Sequence, residues 1–63
     1  MESLRAYLNL AQISQGELAR RSGIDAGLIS YYLSGKRFPT AKNLKRLAKT
    51  TGMSLERLCE GVE

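Results

Sequence analysis

Residues 14–37 of this 63-residue chain read SQGELARRSGIDAGLISYYLSGKR. The stretch carries the start and stop signals of two short helices. Ser14 and Glu17 form a capping box, in which each side chain accepts a hydrogen bond from the other residue's backbone N–H. Gly23 suits the left-handed residue that ends a helix, and Asp25 is a typical N-cap for the next one. The sequence therefore predicts two helices joined by a very short turn.

Apolar residues mark one side of each of these helices. Spacings of three and four residues place them together, and they are Leu18, Ala19, Leu28, Ile29, Tyr32 and Leu33. A turn this short that contains a glycine makes two helices cross steeply, as in a helix-turn-helix. We expect small Ala19 to let the helices approach and Ile29 to fill the angle between them.

Three further helices are predicted around this pair. Strand signals are almost absent, because no stretch alternates apolar and polar residues for long. The remaining caps and stops are Ser3, Gly35, Thr40, Gly52, Ser54 and Gly61. The expected inward residues are Leu4, Tyr7, Leu8, Ala11, Ala41, Leu44, Leu47 and Ala48. The last helix carries Leu55, Leu58 and Cys59, which either close the core or form a dimer surface. The predicted fold is an all-α, compact five-helix domain over residues 1–63, with a helix-turn-helix formed by helices 2 and 3.

The composition excludes several classes of protein. One cysteine and no histidine cannot form an internal disulfide or a zinc site. No apolar run approaches the roughly 20 residues that a bilayer span needs, and the first residues lack the pattern of a secretion signal. We therefore expect a cytoplasmic protein with no cofactor, no small-molecule ligand and no membrane partner. The net charge of +4 favours a polyanionic partner, nucleic acid above all.

The chain resembles the lambda-repressor-like family, which includes phage repressors and Cro proteins. The resemblance rests on SQGELA at residues 14–19, on the glycine turn, and on SGKRFP at residues 34–39, all at the family's spacing. It covers nearly the whole chain and implies binding to double-stranded DNA. In the family the third helix enters the major groove, while helix-two amides and the basic loop after helix three hold phosphates.

The resemblance implies a base-reading strip on the third helix, about residues 26–34. Its members can hydrogen-bond to bases, touch a thymine methyl or let the backbone approach closely. With a glutamine at the start of helix two, the expected base-contacting residues are Gln15, Ala26, Gly27, Ser30 and Tyr31. The competing interpretation is an ordinary solvated face of small residues. Because the strip lacks Arg, Asn and Gln, direct readout is expected to be modest and DNA shape to contribute.

Expected phosphate contacts lie in the loop after helix three and at the start of helix four. Lys36 and Arg37 occupy the basic loop, and Thr40 and Lys42 lie where free helix amides attract anions. The other basic residues of helix four face away from its apolar side and are interpreted as a solvated surface.

In one respect the chain departs from the family. The family commonly pairs an arginine in helix one with a glutamate late in helix three, and these positions hold Leu8 and Leu33 here. Replacement of only one partner would leave a buried charge without its counterion. Because both partners are replaced by leucine, we predict that Leu8 contacts Leu33.

The leading function is a sequence-specific DNA-binding transcriptional regulator of phage repressor or Cro type. It would bind a two-fold symmetric operator as a homodimer, with a dimer surface expected at Leu55, Leu58, Cys59 and Val62. The alternative is a protein-interaction module, antitoxin-like or adaptor, on the same fold. Catalysis is rejected, because no nucleophile has a base beside it.

Overall fold

The structure, a computed structural model, describes residues 1–59. This part of the chain forms five α-helices and no strand, which confirms the predicted all-α class. The helices are α1 (Glu2–Ala11), α2 (Gln15–Ser22), α3 (Ala26–Ser34), α4 (Ala41–Thr51) and α5 (Leu55–Leu58). The second helix packs on α3 and α4, while α1 contacts α3 and α5. None of these helices is long and apolar enough to cross a membrane.

Side chains cap the starts of α2 to α5, as the sequence predicts. Each cap accepts a hydrogen bond from a backbone N–H two or three residues further on, at 2.9–3.3 Å. The caps are Ser14, Asp25, Thr40 and Ser54. Because each cap and its partner lie within one helical turn, these starts are specified locally and do not depend on tertiary packing.

Glycines in the left-handed conformation end the two helices of the central pair. Gly23 has φ 73° and ends α2, and Gly35 has φ 81° and ends α3. Since other residues rarely adopt this conformation, the two glycines fix where the chain turns. Only Ile24 and Asp25 then separate Gly23 from the first residue of α3. The predicted helix-turn-helix of α2 and α3 is confirmed.

The core lies where all five helices meet. Partly buried apolar side chains pack around it, Leu8, Leu28 and Leu44 among them. Its buried members are Leu4, Leu18, Ala19, Ile24, Ile29, Tyr32, Leu33, Leu47 and Leu58. Because α3 contributes three of these residues, its opposite face is left for solvent or a partner.

Two predictions at helix ends are wrong. Ser3 does not cap α1, because the helix already begins at Glu2, and the Ser3 hydroxyl instead donates to the Leu58 carbonyl oxygen at 3.0 Å. Ala11 and Ala41 were expected to face inward but are exposed. Each of them is a terminal residue of its helix, where the wheel pattern continues but the neighbouring helices no longer cover it.

The last helix corrects part of the predicted dimer surface. Leu58 is fully buried in the core and therefore cannot contact a second copy. Leu55 is 42% exposed and Cys59 is half-buried, so these two remain available. The helix ends at Leu58, earlier than the predicted stop at Gly61. Gly61 and Val62 lie outside the described residues.

The end of α3 is tied to α1. Leu33 is buried, and Leu8 packs against the same core cluster, so their direct contact stays a prediction. Arg5 lies one turn earlier in α1, and its guanidinium donates to the Leu33 carbonyl oxygen at 3.0 Å. A cation at this position also complements the negative end of the helix dipole.

Substitution of Gln12 by glycine is expected to stabilise the protein by roughly 0.5–1 kcal/mol. Gln12 ends α1 with φ 56°, a left-handed conformation that costs energy for any residue with a Cβ. The measurement is the urea midpoint followed by circular dichroism. Ala6→Gly is the matched control, because Ala6 is a solvent-exposed residue in the middle of the same helix. This change should lower the free energy of unfolding by about 1 kcal/mol. A midpoint that falls for both variants would contradict the strain at Gln12.

Candidate nucleic-acid interface

The outward face of α3 is a continuous exposed strip. All residues of this strip are exposed to solvent. Tyr31 has the largest side chain among them and is 44% exposed. The strip consists of Ala26, Gly27, Ser30, Tyr31 and Ser34. On the opposite side, Ile29 and Tyr32 are buried in the core. The helix is therefore held by one face and presents the other, as an element that enters a DNA groove must do.

Gly27 has a structural role at the start of α3. A Cβ built on Gly27 would lie 2.9 Å from the Asp25 carboxylate, which caps the helix by accepting the Gly27 N–H. A larger residue here would require the Asp25 carboxylate to shift. The sequence interpretation gave Gly27 only the role of letting DNA approach, and the structure adds this second reason for a glycine.

The basic loop after α3 is fixed to the exposed strip. Lys36 and Arg37 both donate their backbone N–H to the Tyr31 carbonyl oxygen, at 3.0 and 3.4 Å. The Ser34 hydroxyl donates to the same oxygen at 3.2 Å. Both basic side chains are exposed. The loop therefore holds two positive charges beside the strip.

The far end of this loop is also anchored. Pro39 is buried, and the Thr40 hydroxyl accepts the Asn43 N–H at 3.3 Å to start α4. The Asn43 side-chain amide donates to the Tyr32 hydroxyl at 3.0 Å, which joins α4 to the buried side of α3. Thr40 and Lys42 are exposed at this helix start. The predicted phosphate-contacting residues thus occupy one anchored segment.

Gln15 is exposed as the first residue of α2. Its position leaves it beside the free backbone N–H groups that every helix start carries. All nine predicted site residues are therefore exposed, and they come from three places: the start of α2, the outward face of α3, and the segment from the loop into α4.

A sequence profile of the helix-turn-helix family matches residues 4–58. The chain belongs to this family. Within the family the chain belongs to the lambda-repressor-like branch, which its sequence resembles. The protein is thus a DNA-binding helix-turn-helix regulator, and double-stranded DNA is its partner. No curated protein and no solved structure matches the chain.

Two arginines of α2 in this helix-turn-helix protein form ion pairs with a glutamate of the same helix. The Glu17 carboxylate pairs with Arg20 and accepts a hydrogen bond from Arg21 at 2.7 Å. The bond from Arg21 is the main reason that the pKa of Glu17 lies below its usual value. The capping box is therefore only half formed, because Glu17 bonds the arginines and Ser14 alone acts as the cap. Arg20 and Arg21 are already paired and are weaker candidates for phosphate than Lys36.

Arg46 is a structural residue that the sequence interpretation missed. It was assigned to the solvated face of α4, yet its guanidinium donates to the Gly23 carbonyl oxygen at 3.2 Å. That oxygen belongs to the turn between α2 and α3, so α4 supports the helix-turn-helix from behind. No local pattern could reveal this contact, because the two residues are 23 positions apart.

We expect Arg46→Met to lower the free energy of unfolding by about 1 kcal/mol, the usual net worth of such a hydrogen bond. Lys45→Met is the matched control, because it removes one charge from an exposed neighbour. Urea unfolding of both variants gives the comparison. Equal losses in the two variants would mean that charge, not the bond to Gly23, explains the effect.

Proposed function

We propose that the protein is a sequence-specific transcriptional regulator of the phage repressor or Cro type, acting in the cytoplasm on bacterial or phage DNA. The observation that carries the proposal is the exposed strip of α3 with the basic loop bonded to its Tyr31 carbonyl oxygen. Reading bases and holding phosphates require different side chains at a fixed distance. A strip and a loop that are joined by two backbone hydrogen bonds to one carbonyl oxygen meet that requirement.

In the proposed complex, α3 lies in the major groove. Ala26, Gly27, Ser30 and Tyr31 face the base edges from α3, and Gln15 approaches from the start of α2. Small side chains on this strip suit close entry of the helix, and hydroxyl groups can both donate and accept hydrogen bonds. Specificity then draws on hydrogen bonds, on apolar contacts and on DNA shape.

Phosphates are held by one segment, which runs from the loop after α3 into the start of α4. Lys36 supplies a charge from the loop, and Lys42 supplies another from the first turn of α4. Thr40 lies at the helix start, where free N–H groups and the helix dipole favour an anion. These contacts fix register without reading sequence, and they make binding weaker as salt rises.

We further propose that the protein binds as a dimer to a two-fold symmetric operator. Two half-sites about 34–36 Å apart would place two copies of α3 in successive major grooves on one side of the duplex. Leu55 and Cys59 are the available members of the expected dimer surface, since Leu58 belongs to the core.

The test is selection of bound duplexes from a random pool at about 0.15 M salt, a physiological ionic strength. Enrichment of a symmetric motif is expected, and its half-site spacing would give the dimer geometry. Enrichment of a single half-site would contradict the dimer but not sequence-specific binding. A pool that stays random would contradict specific regulation and would favour the protein-interaction module, for which a basic loop is only a solubility feature.

A further inference from the structure

We propose that Arg37 contacts a guanine base in the operator and that Tyr31 positions its guanidinium. The sequence interpretation gave Arg37 a phosphate. This inference rests on the proposed function, because it assigns one base-reading residue within the same complex. It arises from a contact that spacing along the chain does not predict.

The contact is between Arg37 in the loop and Tyr31 on the exposed strip of α3. The Arg37 guanidinium carbon lies 5.9 Å from the centroid of the Tyr31 ring, within the range of a cation–π interaction. Both side chains are exposed. The arginine is therefore directed along the base-reading face of α3 instead of extending freely into solvent.

The backbone reinforces this placement. The Arg37 N–H and the Lys36 N–H both bond to the carbonyl oxygen of Tyr31, the residue whose ring lies under the guanidinium. Arg37 is thus bound to Tyr31 at its main chain and at the end of its side chain. A long side chain held at both ends loses less conformational entropy when it binds a base.

The guanidinium is also chemically available. In residues 1–59 the ion pairs are those of Glu17 with Arg20 and Arg21, and neither involves Arg37. A cation–π contact does not use the N–H groups of a guanidinium as hydrogen-bond donors, so these donors stay free. Those donors form the fork that matches O6 and N7 of guanine in the major groove.

Arg37 provides a bidentate hydrogen-bond donor, a group that the exposed strip of α3 lacks. The exposed residues of α3 include no arginine, lysine, asparagine or glutamine, so α3 alone has no bidentate partner for a purine. Arg37 provides one from the adjoining loop. Lys36, its neighbour, keeps the proposed phosphate contact, so the two adjacent basic residues have different proposed roles.

The experiment compares Arg37→Met with Lys36→Ala on the selected operator and on duplexes that change one base pair at a time. Arg37→Met keeps an unbranched side chain but removes every N–H donor. We expect it to lose the preference for G·C at one position of each half-site by about tenfold or more. Lys36→Ala should keep that preference and lower the salt slope by about one unit.

Two further variants test the role of Tyr31. Tyr31→Phe keeps the ring and should preserve the guanine preference, whereas Tyr31→Leu removes the ring and should lose it at the same base pair. If both variants lose it equally, the hydroxyl reads the base and the positioning role is wrong. If neither loses it, Arg37 does not depend on the ring, and that role is equally wrong.

The failures of the two proposals are distinguishable. If Arg37→Met weakens binding to every duplex equally while the selected motif and its G·C preference persist, Arg37 holds a phosphate and this inference is overturned alone. If the unaltered protein selects no motif, the proposed function fails and this inference fails with it. Circular dichroism of each variant confirms that the changes at these exposed positions leave the fold intact.

Discussion

Replacement of Leu58 by alanine is expected to leave much of the protein unfolded at 25 °C. Leu58 is fully buried in the core, although it lies in the short last helix. A buried leucine cut to alanine costs about 2–5 kcal/mol. A domain of this size has a net stability of only about 3–5 kcal/mol. Circular dichroism during urea unfolding measures the loss.

Leu55→Ala is the matched control for this prediction. Leu55 lies one turn earlier in the same helix and is 42% exposed, so its truncation should change the unfolding free energy by less than about 1 kcal/mol. If the dimer uses this face, sedimentation should show weaker association for Leu55→Ala. A stable Leu58→Ala protein with altered association would place Leu58 at an interface and would contradict its core position.

The second large effect concerns DNA affinity. Changing both Lys36 and Lys42 to alanine is expected to weaken binding to every duplex roughly 30-fold at 0.15 M salt, and to lower the salt slope by about two units. The estimate takes roughly a fivefold loss for each phosphate contact, which follows from the release of about 0.9 counterion per contact. Binding titrations on operator and random duplexes over a range of salt concentrations give both quantities.

The control for that experiment changes Lys45 and Lys49 instead. These residues are exposed on the same helix as Lys42, and the double change alters the net charge by the same amount. They lie further along α4 from the loop, so only long-range attraction should be lost. A control that weakens binding as much as the Lys36 and Lys42 pair would show that net charge, not phosphate contact, explains the affinity.

The sequence predicts the starts of α2 to α5 and the ends of α2, α3 and α4 because the causes of these boundaries are local. Asp25 and Thr40 each bond a backbone N–H within one turn, and Gly23 and Gly35 end helices through their own backbone conformation. None of these helix starts and ends requires knowledge of contacts with residues distant in sequence. The exposed strip of α3 follows equally well, since burial of Ile29 and its neighbours fixes which side faces out.

What the sequence could not predict depends on contacts between distant residues. The bonds of Arg5 to Leu33, of Arg46 to Gly23 and of Ser3 to Leu58 join residues 28, 23 and 55 positions apart. A helical wheel assigns such residues to a cap or to solvent. Leu58 shows the same limit, because one apolar face suits a core and a dimer surface alike. The contact of Arg37 with Tyr31 likewise needs the three-dimensional path of the loop.

The bonds that anchor the loop to Tyr31 end on a main-chain oxygen. The anchor is therefore indifferent to which side chain stands at that position. Ala26 and Ser30 are exposed, so their replacement need not disturb the loop or the core, whereas Tyr31 also contacts Arg37 through its ring. Gly27 is the exception, since any Cβ there meets the Asp25 carboxylate. If α3 reads the operator as proposed, we expect random substitution at Ala26 and Ser30 to yield variants that prefer new DNA sequences while the main chain of the loop keeps its place.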